Sequence, residues 1–147
     1  VSPQLATLLA EEDAQHLDTT GVYDEFRKRI EAHRTELLEL LDALKREGRT
    51  VLGYGASTKG NTILQYCGIG PERLPAVAEV NTDKFGCFTP GTGIPIISEA
   101  RARSLKPDFF LVLPWHFRDH IVRREAAFLE AGGKVIFPLP KLEIVSG

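Results

Sequence analysis

The chain has no methionine, two cysteines and one tryptophan, and its charges nearly cancel. Each shortage excludes something. Cys67 and Cys87 show no metal-ligand spacing and make no disulfide framework. The sequence therefore reads as a reduced, cytoplasmic protein without a metal site, its thiols serving as small buried or half-buried hydrophobes. Eighteen Lys and Arg against twenty Asp and Glu leave a net charge of −2. Without a basic surplus to neutralise a phosphate backbone, nucleic acid is not an expected partner. No apolar run approaches the ~18–20 residues of a membrane span. Glu11, Glu12 and Asp13 stand where a signal peptide would be basic and then apolar. The absence of methionine, with a start at Val1, suggests excision from a longer chain, although loss of an initiator accounts for the start alone.

What is present suits one domain. At 147 residues and 43% hydrophobic, the chain can bury about 68–70% of its unfolded surface, enough for a core without metals or disulfides. It is too short for a cofactor domain and a substrate domain together. Residues 1–20 read as a linker or short helix, and residues 21–147 as an α/β domain that includes a leading helix. From Val22 to Leu44, Val22, Phe26, Ile30, Leu37, Leu40, Leu41 and Leu44 recur at helical steps. Thr20 can cap this helix, and Gly48 ends it. Its length allows packing across its own domain or against something outside the chain. After Gly48, short apolar runs at 50–54, 75–80, 94–97, 108–113 and 134–137 alternate with helical stretches at 58–67, 98–105 and 117–131. That alternation predicts a mostly parallel five-stranded sheet with right-handed crossovers.

Between the first strand and the next helix lies Gly53-Tyr54-Gly55-Ala56-Ser57-Thr58-Lys59-Gly60-Asn61. A glycine-rich turn of this kind brings amides to a helix N-terminus, which favours phosphate or carboxylate. Ser57, Thr58 and Lys59 can add donors. The spacing matches neither a dinucleotide fingerprint nor a Walker loop, because the third glycine is Gly60 and the lysine precedes it. A tight turn that only lets helix and strand pack closely is the alternative. Glu79, at the end of the second strand, is placed either as a ribose-binding acid or as a surface carboxylate. The polar segment from Asn81 to Gly93 is a candidate binding loop. After the fourth strand, Trp115 can stack on a base or sugar, His116 can move a proton and Arg118 can pair with phosphate. Alternatively, Trp115 packs at the domain edge and His116 begins a helix. His16, His33 and His120 are expected to face solvent.

Three segments in this order, Gly53 to Gly68, Thr89-Pro90-Gly91-Thr92-Gly93-Ile94-Pro95-Ile96 and Leu113-Pro114-Trp115-His116-Phe117-Arg118, together with the closing Phe137-Pro138-Leu139-Pro140, resemble the C-terminal domain of the sugar C-methyltransferases. The resemblance covers roughly residues 20–145. It implies a Rossmann-like domain in an enzyme that also carries a zinc-binding N-terminal domain and a middle domain binding S-adenosylmethionine. It further implies methylation of a carbon beside the ketone of a dTDP-linked keto-sugar through an enolate. On that reading Gly53, Gly55, Ser57, Thr58, Lys59, Gly60 and Asn61 hold the diphosphate. Glu79, Asn81, Trp115 and Arg118 face the ligand, and His116 is the candidate base. The zinc cysteines and methyl-donor motif are absent, so the chain alone is expected to be inactive and to bind no cofactor. Glu79-Val80-Asn81 stands where relatives more often read Asp-Arg-Asn, and Cys87 where a basic residue is common. Two other functions remain open: a domain binding NAD or S-adenosylmethionine itself, and a non-catalytic interaction module.

Overall fold

A computed structural model describes residues 2–147. The chain forms two compact units, one ending at His33 and the other running from Arg34 to Gly147. In the first unit, α1 (Pro3–Ala14) starts at Ser2, whose hydroxyl accepts from the Leu5 amide at 3.2 Å. None of its residues is buried. α2 spans Thr20–Arg46. Thr20 is thus its first residue rather than the residue before it. The early turns of α2 carry exposed pairs at i,i+3 and i,i+4, Lys28 with Glu25 and Arg27 with Glu31.

The second unit is a six-stranded sheet with helices on both faces. Its strands are β1 (Val51–Tyr54), β2 (Val77–Glu79), β3 (Ile96–Ser98), β4 (Phe109–Val112), β5 (Lys134–Phe137) and β6 (Glu143–Ser146), in spatial order β3-β2-β1-β4-β5-β6. The first five are parallel, and β6 runs antiparallel to β5. The period of two sends alternate residues to opposite faces. Val51, Phe109, Leu111, Leu113 and Ile136 pack on one side with Leu37, Leu41 and Leu44 of α2 and with Ile63, Leu64 and Cys67 of α3 (Thr58–Cys67). Leu52, Tyr54, Phe110, Val112 and Val135 pack on the other with Ala102 of α4 (Glu99–Ser104), Ile121 of α5 (Arg118–Arg124) and Leu129 of α6 (Ala126–Glu130). Burial on both faces explains why β1 and β4 read as continuous apolar runs.

Three expectations change here. The sheet has six strands, not five; Glu143–Ser146 alternates half-buried with exposed residues and is short, so it lacked the apolar run that marked the others. The stretch 117–131 is not one helix. It opens with a 3₁₀ turn at Trp115–Phe117 and breaks at Glu125, and Phe117 is exposed. Of the two thiols, Cys67 is buried but Cys87 is exposed.

Candidate functional site

The strand order reverses at β1, whose neighbours β2 and β4 connect to helices on opposite faces. Open parallel sheets form a crevice beyond the strand ends at such a reversal. Here a cavity of about 290 Å³ opens there, with Gly55, Ser57, Glu79, Lys84, Pro114 and Arg124 among its lining. Three larger hollows, of about 420, 400 and 320 Å³, involve residues such as Arg49 and Lys134, Gly70 and Thr92, and Arg103 and Phe128. The first two lie at the edge from which the strands start.

The glycine loop is built by close approach. Gly55 has φ +78°, and a Cβ there would lie 2.9 Å from Pro114 Cδ. A Cβ on Gly60 would lie 2.4 Å from Leu113 Cβ, so Gly60 lets α3 press against the end of β4. Ser57 caps α3, its Oγ accepting from the Gly60 amide at 3.0 Å. Thr58 and Lys59 are exposed on its first turn, where helix geometry supplies their amides with no intrahelical acceptor. Asn61 Oδ1 is buried without a hydrogen-bond partner, the one such side-chain atom among the described residues.

Glu79 is 7% exposed and spent on the protein itself. Its Oε2 accepts from the Ala56 amide at 3.0 Å and from Lys84 Nζ at 3.2 Å. Its Oε1 accepts from the amides of Val80 and Asn81 at 2.8 and 3.0 Å. Burial alone pushes the carboxyl up, but the Asn81 and Val80 amides and the Lys84 ammonium outweigh it and hold it below the usual range. Asn81 Oδ1 caps the turn Thr82–Lys84, accepting from the Asp83 amide. That turn brings Lys84 back to donate to Ala56 O at 2.8 Å. The glycine loop and the segment after β2 are therefore clasped together by Glu79 and Lys84.

The segment after β4 is arranged differently. Trp115 is half-buried and packs against both core clusters. His116 is exposed, its ring 4.2 Å from that of Phe117. Arg118 makes a fork to Glu143 of β6, at 2.9 and 2.6 Å, over the ring of Phe137. Of the sequence candidates, Gly55, Ser57 and Glu79 line the crevice; Gly53, Thr58, Lys59, Gly60, Asn61, Asn81, Trp115, His116 and Arg118 do not. Tyr54, Lys84, Glu99, His120 and Arg124 line it without having been singled out as ligand contacts. His120, expected to face solvent, is exposed at the crevice. The signal for part of this group was there: Phe117, His120, Ile121 and Arg124 fall at i, i+3, i+4 and i+7, one helical face directly after β4.

Among the described residues no cluster of metal-ligating side chains occurs, and no helix is long and apolar enough to cross a membrane. The sequence profile described as "C-methyltransferase C-terminal domain" matches residues 1–140. The C-methyltransferase NovU of Streptomyces niveus is 38% identical over 146 residues, which is 99% of this chain and 35% of that protein. The chain thus spans about a third of the relative. The match runs through the glycine loop, the crevice and the segment after β4, and it shows that the chain belongs to the family of C-methyltransferase C-terminal domains.

Proposed function

We propose that this domain holds the nucleotide end of a keto-sugar substrate for an S-adenosylmethionine-dependent C-methyltransferase in a cytoplasmic setting. The observation that carries the reading is the crevice at the strand-order reversal, floored by a glycine loop that leads into a capped helix. A dTDP-linked sugar fits this chemistry: the diphosphate lies toward Ser57, Thr58 and Lys59, the nucleoside in the crevice, and the sugar beyond the sheet edge. Its carbon beside the ketone loses a proton to a base, and the resulting enolate takes the methyl group. His116, exposed at that edge, is the base offered by this chain.

S-adenosylmethionine itself fits this crevice poorly. A ribose diol needs a free carboxylate at the end of β2, and all four acceptor positions used by Glu79 go to protein donors. The same holds for NAD. We therefore assign the methyl donor to another part of the enzyme, and the zinc-binding and donor-binding domains are this chain's working partners.

Calorimetry tests the reading. The chain should bind dTDP or a dTDP-sugar saturably and show no saturable binding of S-adenosylmethionine or NAD. Lys59→Ala should weaken the nucleotide ~3- to 10-fold, as expected for a screened contact of about 1 kcal/mol. Absence of nucleotide binding, by this chain and by its full-length enzyme, would overturn it.

A further inference from the structure

α1 has 12 residues, and none of them is buried. A helix this short is marginal in water, because its few hydrogen bonds barely offset the cost of starting it. Its side chains are nonetheless set in order. Leu5, Leu8 and Leu9 fall at i, i+3 and i+4, which puts them on one face, and they are 45%, 50% and 47% exposed. Glu12 continues that face one turn on, with Glu11 and Asp13 to either side. Among the described residues no ion pair engages these three carboxylates. Residues 1–26 hold six Asp and Glu and no Lys or Arg. The helix therefore shows an outside partner leucines first and then negative charge.

A surface of the opposite character lies on the second unit. A groove of about 320 Å³ runs between α4 and α6, lined by Arg103, Lys106, Pro107, Phe110, Ala127 and Phe128. The last four make it apolar, and the first two make its edge positive. Arg103 holds the buried Glu125 through Nη2 alone and stays 43% exposed. Lys106 is exposed and has no ion-pair partner among the described residues. The acid of α4, Glu99, is taken by Arg124 at 2.7 Å. Glu130, the exposed acid of α6, does not line the groove. The groove shares no lining residue with the crevice. Leucines suit its aromatic floor, and the carboxylates that follow them suit Arg103 and Lys106, so the charges set the direction in which a helix lies there.

We infer that two copies of the chain associate through these surfaces, α1 of each lying in the α4–α6 groove of the other. Every copy carries both surfaces, so one contact brings its two-fold equivalent, and the pair closes as a dimer. Light scattering during gel filtration tests this. At ~100 µM the chain should run at twice the 16.3 kDa mass of one copy, as a contact of micromolar affinity requires. Glu12→Lys and Lys106→Glu should each weaken the dimer ~10-fold, since like charges then meet. Leu8→Ser should weaken it as well. All three side chains are exposed, outside the core. Mixing separates a lost contact from a lost fold. Glu12→Lys and Lys106→Glu chains combined in equal amounts should return to the dimer mass, because the reversed charges face one another and the native ones still do. A chain that stays monomeric overturns the inference. So does a dimer that any of the three substitutions leaves unchanged, which places the contact on another surface, and so does a mixture that fails to recover the dimer.

Discussion

At the scale of single residues, the site depends on contacts too close for a side chain and on a carboxylate turned inward. Gly60→Ala places a methyl group against Leu113 and Ser57. It should cost about 1–3 kcal/mol by overpacking, read as a lower urea midpoint. Glu79 makes a pH prediction. Its folded-state pKa lies below its unfolded value, so the unfolded chain takes up the proton first as pH falls. The stability it contributes is full above the unfolded value of about 4.5 and is lost as pH drops through the folded value. Melting temperature should therefore fall on acidification below about pH 5. Glu79→Gln should lower the melting temperature at pH 7 and flatten that acid limb. The glycine loop was legible in the sequence because glycine at a strand–helix turn has few other uses. The inward turn of Glu79 was not, because it depends on Lys84 returning over a 3₁₀ turn whose residues carry no spacing signal.

At the scale of elements, two joints fasten the helices that follow β4. Glu125 interrupts the helical stretch after β4 and ties it to β1 through Tyr54 and to α4 through Arg103. Glu125→Ala removes the acceptor of the Tyr54 O–H and the carboxylate partner of Arg103, and should cost about 2–3 kcal/mol, measurable by chemical denaturation. The fork between Arg118 and Glu143 fastens the start of α5 to β6. Arg118→Ala should leave the crevice intact while the amides of β6 exchange faster with deuterium, the core strands keeping their protection. The sequence marked β1 to β5 to within about two residues at most ends, since buried parallel strands need unbroken apolar runs. It missed β6, an edge strand with one face toward solvent. It also took 117–131 as a single helix, because periodicity does not reveal a polar side chain that ends a helix by turning inward.

At the scale of the whole molecule, the domain carries a crevice at its strand-order reversal and spans 35% of its relative NovU. Supplied with S-adenosylmethionine and a dTDP-keto-sugar, this chain alone should yield no methylated sugar by mass spectrometry. In the full-length enzyme, His116→Asn should lower kcat while leaving KM within about twofold if His116 removes the proton. Family and architecture were readable from three motifs in fixed order. The crevice wall was less so, because Tyr54, Glu99 and Arg124 are distant in sequence and meet only when β1, α4 and α5 are stacked.

The clasp of Glu79, Lys84 and Ala56 has a kinetic meaning. A loop already cross-braced by internal hydrogen bonds has surrendered its conformational freedom during folding, so a ligand does not have to order it on arrival. Encounter should then proceed at the pace of diffusion and orientation, with discrimination among ligands expressed in how long each one stays.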